Sequence, residues 1–316
     1  MDQQPPLIVA IAGPTAVGKT ALALELAERL GGEIISVDSR LVYRGMDIGT
    51  AKPTAEERRR VPHHLIDLCA PDEDFSLARF QSLAYAAIGA ALGRSRLPLL
   101  AGGTGQYLAA ILEGWNIPEV APQPELRARL VEEAGRIGNA GLHGRLAEID
   151  PAAAQSIDPS NLRRVIRALE VWEVTGRRIS ELQQRTPPPY RILALDLERP
   201  RDELYARIDA RVGQMIRAGL IAEVLGLVAA GFDWDLPAMS SIGYGEWAPL
   251  WRGEATAAAC AQQLKWNTHH FARKQGAWFR RLPGRIALPA GAADLIDQAL
   301  AAIAAASAPA ATHTDP

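Results

Sequence analysis

"IVAIAGPTAVGKTALALELAERL", Ile8 to Leu30, is the stretch whose reading decides the fold. Gly13, Gly18, Lys19 and Thr20 keep the spacing G-x-x-x-x-G-K-[ST]. An apolar run, Leu7 to Ala12, reads as a strand, and Leu22, Leu26 and Leu30 recur every fourth residue, as on one helix face. Strand, glycine turn and helix in that order aim backbone N–H groups and a helix N-terminus at an anion. Gly13, Pro14, Thr15, Ala16, Val17, Gly18, Lys19 and Thr20 are therefore the expected phosphate cradle. Lys19 acts there as a point charge, and Thr20 offers a hydroxyl to a bound magnesium ion. The loop reads phosphate and not base, so ATP does not follow from it.

Outward from the loop, the pattern repeats. "EIISVDS" (Glu33 to Ser39) is an apolar run ending beside Asp38, and "RLPLLAGGTGQYLAAIL" (Arg96 to Leu112) is again strand, glycine turn and helix. "RILALDL" (Arg191 to Leu197) reads as a further buried strand before a long helical stretch. Apolar strands alternating with helices predict an α/β fold, a P-loop NTPase-like parallel sheet covered by helices on both faces. Ligands in such folds gather at the carboxyl ends of the strands. Gly13, Asp38 and Gly102 to Thr104 all fall at such ends and are expected to meet at one site.

A chain of 316 residues exceeds what one hydrophobic core usually serves, so two domains are expected. Proline clusters at "IPEVAPQPE" (from Ile117) and "TPPPY" (from Thr186) bound an Arg/Glu/Ala-rich stretch without strand candidates. The resulting division is 1–116 and 190–290 as the α/β core, 117–189 as an all-helical insertion, and 291–316 as an alanine-rich disordered tail with one amphipathic helix at most. Two long loops around helices of the same domain are the alternative. Hydrophobic residues at 48% and charged residues at 22% are ordinary for a soluble protein. There is no apolar run long enough to cross a bilayer, and Met1 to Pro6 lacks the features of a signal segment. Cys69 and Cys260, far apart and without ligand spacing, are expected as free buried thiols of a cytoplasmic protein. The net charge of −2 excludes a generic polyanion binder, so any nucleic-acid contact must use local basic clusters. The pairs His63–His64 and His269–His270 suggest metal, but no partner recurs at ligand spacing, and structural or RNA-contact roles are favoured.

Asp38 admits three readings from position alone: a magnesium carboxylate, a general base near a phosphate-bearing electrophile, or a turn residue. The residues around it are more specific. "SVDSRLVYRGMDIGTAKP" (Ser36 to Pro53) and "PHHLID" (Pro62 to Asp67) resemble the tRNA dimethylallyltransferase family. The resemblance continues through "GGTGQYLAAILEG", "NLRRVIRALEVWEVTGR", "RIDARVGQMIRAGLIAEV", "IGYGEW" and "FARKQGAWFR", to about Arg281. It implies that the loop holds the diphosphate of dimethylallyl diphosphate, with magnesium. The reaction it implies moves a prenyl group onto N6 of the adenosine immediately 3′ of the anticodon.

By the same resemblance Asp38 is the general base, Thr104 lies in the reaction channel, and Lys19 with Arg211 neutralises the leaving diphosphate. The implied partner is a tRNA anticodon stem-loop with its target adenosine extruded. Its implied contacts are Asp38, Ser39, Arg40, Leu41, Thr104, Arg127, Arg163, Arg164 and Arg167. Ser240, Ser241, Ile242, Gly243, Tyr244, Gly245, Arg273, Lys274, Gln275, Trp278 and Arg280 complete the set. Leu41, Ser240, Ser241, Gly245 and Ala277 depart from the family pattern, which implies a lighter grip on tRNA without touching Lys19, Thr20, Asp38 or Thr104. A monomer is expected. Prenylation of free adenine nucleotides, a small-metabolite kinase and a non-catalytic tRNA-binding protein are the rival readings.

Overall fold

The computed structural model describes residues 4–282 and 284–308. Six strands form one all-parallel sheet in the order β3-β2-β4-β1-β5-β6. They are β1 (Leu7–Ala12), β2 (Glu33–Ser36), β3 (His63–His64), β4 (Pro98–Ala101), β5 (Arg191–Glu198) and β6 (Arg285–Pro289). β1 lies between β4 and β5, with Val9 opposite Leu99 and Ala12 opposite Asp196. Its alternate side chains go to opposite faces, as the pleat requires. Val9 and Ile11 join one core cluster, with Leu22, Leu26, Leu204 and Ile208. Ile8, Ala10 and Ala12 join the other, with Phe80, Ile88, Leu108 and Ile111. A strand buried on both sides must be apolar at every position, which is why its run is unbroken. Each buried Ile or Val contributes about 1.5–3 kcal/mol.

The edge strands are where sequence expectation falls short. β3 is two histidines, and β6 is a five-residue run that begins with Arg285 and ends with Pro289, both weak strand signals. The histidines of β3 belong to this edge: His64 Nε2 contacts Glu33 Oε2 at 2.7 Å and His63 Nδ1 contacts the Val61 carbonyl at 2.8 Å. The alanine-rich end corrects a second expectation. Leu295–Ser307 is a helix, and Ala299 and Ile303 pack into the first core cluster, so this part of 291–316 is ordered. Small side chains let that helix lie close on the sheet. Residues 309–316 lie outside the described residues.

The chain divides into two compact units, Met1–Leu112 with Pro189–Pro316, and Glu113–Pro188. In the second, hydrogen bonds from Asn116 N–H to the Gln184 carbonyl and from Thr186 N–H to the Gly114 carbonyl, both 2.8 Å, clip its two ends together. Its helices Pro124–Ile149, Pro151–Ser156, Leu162–Thr175 and Ile179–Leu182 enclose their own core, with Leu130, Leu146, Val165 and Leu169. Inside that core sits the fully buried Glu170. Arg127 reaches it with two bonds of 2.7 and 2.9 Å, Arg167 at 2.6 Å, and Gln123 N–H at 2.8 Å. Burial opposes ionisation, but these donors outweigh it and hold the Glu170 carboxyl down to about 2.

That carboxylate stabilises the unit fully above its ordinary value of 4.5, and the contribution is lost as pH falls towards about 2. Glu170→Gln at neutral pH is expected to destabilise the unit by about 3 kcal/mol, since it leaves guanidinium groups facing an uncharged amide. Amide hydrogen exchange over Leu162–Thr175 reads this directly; unchanged protection there would refute the anchoring role.

Candidate active site

At the carboxyl end of β1 the chain turns through Gly13–Gly18 into the helix Lys19–Leu30. That helix has no side-chain cap at Gly18, so its first-turn N–H groups are left for an anion. Lys19 Nζ donates to the carbonyls of Gly13 and Pro14, both at 2.8 Å, and thereby closes the loop around its own head group. Ala16 takes a left-handed conformation, φ 62°. Arg207 Nε holds its carbonyl at 2.8 Å, and Thr15 N–H donates to Gln275 Oε1 at 2.8 Å.

Two residues beyond β2, Asp38 Oδ1 accepts Arg40 N–H at 2.8 Å. From the end of β4, Thr104 Oγ1 accepts Ser39 N–H at 3.0 Å, and Thr104 N–H reaches the Val37 carbonyl at 3.2 Å. A Cβ on Gly103 would stand 2.5 Å from Gln275 Nε2, which donates to the Gly103 carbonyl at 2.7 Å, so a larger residue there would have to displace the Gln275 amide from this bond. The helix Arg201–Arg217 contributes Arg207 and Arg211, one turn apart on the same face. The helix Ala257–Phe279 contributes Phe271, Lys274, Gln275 and Trp278.

Between these elements lie two adjoining cavities. The first, about 580 Å³, is lined by Lys19, Thr20, Ser36, Leu41, Arg207 and Arg211 among others. The second, about 400 Å³, has Ser39, Arg40, Thr104, Lys274 and Trp278, together with the apolar Ile208, Val212, Met215, Leu264 and Phe271. Asp38 borders both, as do Thr15, Arg211 and Gln275. One side suits a polyanion, the other an apolar group beside a planar one, and a carboxylate stands where they meet.

Enclosure by protein shifts the ionisable groups towards one another. Burial, reinforced by the Arg211 charge, pushes the Lys19 ammonium down to about 7 against the pull of Asp38 and Asp196. Burial likewise pushes the Asp38 carboxyl up, against the Arg40 amide and the charges of Lys19 and Arg40. Arg211 is pushed down by enclosure, with Asp38 opposing.

The structure brings Lys19, Thr20, Asp38, Leu41, Thr104 and Arg211 together with Ser39, Arg40, Ile242, Gly243, Lys274, Gln275 and Trp278. Other expected contact residues serve the scaffold. Gln275 is buried and bridges two loops, so its amide is not available to an RNA. Tyr244 is fully buried, with its hydroxyl on Glu223 Oε1 at 2.6 Å, and Ser241 is buried with its hydroxyl on the Ala238 carbonyl. Ser240 Oγ bonds the Pro237 carbonyl, and Gly245 lines a separate shallow groove. Arg127 and Arg167 engage Glu170 in the other unit, where Arg163 and Arg164 are exposed. Arg273 and Arg280 are exposed beside Trp278.

Ser36 and Arg207 line the first cavity and are site residues that sequence reading missed. Arg207 had a signal, its i, i+4 spacing from Arg211; Ser36 had none. Lys52 explains part of the "MDIGTAKP…PHHLID" signature: its buried ammonium bonds the Tyr43 carbonyl, Asp47 at 2.6 Å and Asp67 at 2.5 Å, tying the two segments together. Both cysteines are free and buried. Among the described residues no cluster of His, Cys, Asp or Glu could by itself hold a metal ion, and no single helix is long and apolar enough to cross a membrane.

Two family models match the chain, one described as IPP transferase over residues 41–282 and one as isopentenyl transferase over residues 6–67. The chain is 63% identical to a tRNA dimethylallyltransferase of Herpetosiphon aurantiacus over 298 residues, 94% of this chain and 95% of that protein. It is similar to the crystal structure of full-length tRNA isopentenylpyrophosphate transferase from Bacillus halodurans, with TM-score 0.72 and 42% identity over 96% of this chain and 97% of that one. A eukaryotic dimethylallyltransferase, seen in crystallographic snapshots acting on tRNA, matches with TM-score 0.82 and 26% identity over 98% of this chain and 82% of that one.

The Lys19 shift yields a binding test with inorganic diphosphate. A bound polyanion raises the lysine again, so above pH 7 binding must take up a proton, while at pH 6 Lys19 is already charged in the free protein. Titration calorimetry in buffers of different ionisation enthalpy is expected to show, at pH 8, an uptake that Lys19→Gln abolishes. The same substitution should weaken binding about tenfold to a hundredfold. Equal proton uptake in both proteins would remove Lys19 from the anion site.

Proposed function

The chain belongs to the tRNA dimethylallyltransferase family and transfers a dimethylallyl group to a tRNA adenosine, and from that premise we propose how its residues share the reaction. The donor is dimethylallyl diphosphate, with its diphosphate in the first cavity and its apolar group in the second. The acceptor is N6 of the adenosine immediately 3′ of the anticodon, extruded from its stack so that the base reaches the second cavity beside Trp278. Prenylation of a free nucleotide, kinase activity and non-catalytic binding have no support among the relatives.

The position of Asp38 carries this reading, because it is the carboxylate bordering both cavities. An exocyclic adenine amine is a weak nucleophile, its lone pair delocalised into the ring. As N6 bonds the allylic carbon, the C–O bond to diphosphate breaks and its electron pair leaves with the diphosphate. The N6 proton passes to Asp38, whose carboxyl, raised by burial, is a better proton acceptor than an ordinary one. Lys19, Arg207, Arg211 and the free N–H groups of the helix Lys19–Leu30 balance the charge growing on the leaving group. Thr104 orders the Ser39 backbone next to Asp38 and offers its hydroxyl to the channel.

Magnesium fits the first cavity. The hydroxyl of Thr20 lines it together with Ser36, whose buried Oγ has no hydrogen-bond partner among the described residues. A site of two hydroxyls without an acidic cage suits an ion that keeps its waters and takes substrate phosphates as ligands. When bound, such an ion neutralises part of the charge on the diphosphate.

We further infer that Arg40, Lys274, Arg273, Arg280 and Trp278 support the anticodon loop, cations on phosphates and the indole on a base. Arg163 and Arg164 offer exposed guanidinium groups from the helical unit. Two free thiols and a tRNA substrate support the cytoplasm.

Asp38→Asn is expected to lower kcat by about 10² to 10⁴-fold with tRNA affinity retained. The wild-type rate should fall at acid pH, with an apparent pKa above the usual carboxylate range, because only the ionised carboxylate accepts the proton. The check is transfer of labelled dimethylallyl to a tRNA with adenosine 3′ of the anticodon, to the same tRNA with that base changed, and to AMP. Near-normal turnover by Asp38→Asn would end the general-base assignment, and label on AMP would redirect the acceptor.

A further inference from the structure

Glu223 stands on the helix Leu220–Ala229, outside both cavities, yet its carboxylate gathers four donors. Oε2 accepts the N–H groups of Asp47 at 3.0 Å and Ile48 at 2.8 Å. Oε1 accepts Gly49 N–H at 3.1 Å and the Tyr244 hydroxyl at 2.6 Å. A carboxylate has about four lone-pair directions, and here all of them are used. Burial first, then the bond to Glu223 and its charge, pushes the Tyr244 phenol far above its ordinary value, so it stays a donor.

The anchored segments belong to the second cavity. Gly49 and Thr50, with Ile242 and Gly243, line it alongside Ile208, Val212, Met215 and Leu264. The two segments are pressed together. A Cβ on Gly49 would lie 2.5 Å from the Tyr244 ring, and one on Gly243, φ 102°, would lie 3.0 Å from the Gly49 carbonyl. Glu246 fastens the same turn to the helix Ala257–Phe279, accepting Gly243 N–H at 2.9 Å and Asn267 Nδ2–H at 2.7 Å. Tyr244, Val212, Leu264 and, at its margin, Met215 share one core cluster, so the apolar part of the cavity is a face of that core.

We propose that Glu223 is a positioning residue that sets the width of the apolar end of the donor pocket and with it the prenyl chain length accepted. This assignment rests on the reading under "Proposed function". An apolar pocket gains from every added carbon it can hold, so it rejects a longer homologue only if its wall does not yield. Here part of the wall is bare backbone at Gly49 and Gly243, with no side chain to swing aside. Its rigidity is that of the main chain, and Glu223 fixes the Gly49 amide in the wall and the Asp47 and Ile48 amides of the backbone that leads into it. A ten-carbon donor must displace this wall against four hydrogen bonds, whereas a five-carbon donor does not.

The test compares dimethylallyl with geranyl diphosphate, on one tRNA, for the wild type, Glu223→Gln and Tyr244→Phe. Gln turns an amide N–H₂ towards donors that need an acceptor. Phe keeps the ring between the segments and removes only the hydroxyl bond, so the test survives if Glu223→Gln does not fold. The ratio of kcat/KM for the short over the long donor is expected to fall about tenfold in Glu223→Gln and less in Tyr244→Phe. KM for the short donor should rise more than kcat falls, and the Kd of inorganic diphosphate should stay unchanged, because Lys19 and its loop are untouched. An unchanged ratio, or a ratio that moves only with weakened diphosphate binding, overturns the assignment. A wild type that binds diphosphate but prenylates no tRNA would instead overturn the functional reading, and this assignment with it.

Discussion

The spacing between the phosphate loop and the turn after β4 hangs on one buried amide. Gln275 accepts Thr15 N–H with its oxygen and donates to the Gly103 carbonyl with its nitrogen. Both loops end parallel strands whose register fixes their height but not their lateral approach. The amide supplies that approach, and Gly103 permits it by lacking a Cβ. Removing it would leave a donor and an acceptor of the backbone unpaired near the site, at about 1–3 kcal/mol each. Because Asp38 lies close by, with Oδ2 3.9 Å from the position of a Gly103 Cβ, the same bridge sets where a carboxylate stands relative to the phosphate loop.

The electrostatics follow from that closeness. Lys19, Arg211, Asp38 and Asp196 share a region poor in water, so each charged form is penalised and its opposite neighbours only partly compensate. Lysine moves down and aspartate moves up, towards neutrality from opposite sides. Such convergence lets one group receive a proton and another meet an anion at the same pH. Asp196 lines neither cavity and is paired with Arg285 at 2.8 Å. In the proposed mechanism the arrival of a diphosphate reverses the penalty on the lysine, so the cradle becomes most strongly charged only when it is filled.

Local chemistry was legible in the sequence, and long-range partnership was not. The loop from Gly13 to Thr20 and the strand ends carrying Asp38 and Thr104 declare themselves through spacing within a few residues, whereas Arg211 is reached only through the family resemblance. Gln275 lies 260 residues from its partner Thr15, and Glu223 lies 175 from Ile48, distances at which no periodicity survives. A basic residue on a helix face reads the same whether it awaits a phosphate or a buried carboxylate. The resemblance implies RNA contacts at Arg127 and Arg167, and nothing in the sequence opposes it, because Glu170, three positions from Arg167, looks like any surface glutamate until its helix is packed. The ordered packing of the helix Leu295–Ser307 escapes the sequence for a different reason: alanine composition mimics low complexity, and only the sheet beneath shows the helix as part of the core.

This redistribution of arginines bears on how the protein meets its RNA. With Arg127 and Arg167 committed to Glu170, and a net charge of −2, the attractive field is confined to short segments. Arg273, Lys274, Arg280 and Trp278 form one of them, on the same helix whose other face carries Gln275 and Phe279 into the core. In the proposed mechanism, a helix anchored by a staple on one side and presenting cations and an indole on the other holds these groups in fixed register with the reaction cavity for an incoming RNA. In the proposed mechanism, discrimination then comes from fit rather than from charge. An adenosine that can be extruded reaches Asp38, while a polyanion without one gains only the modest attraction of a few exposed cations.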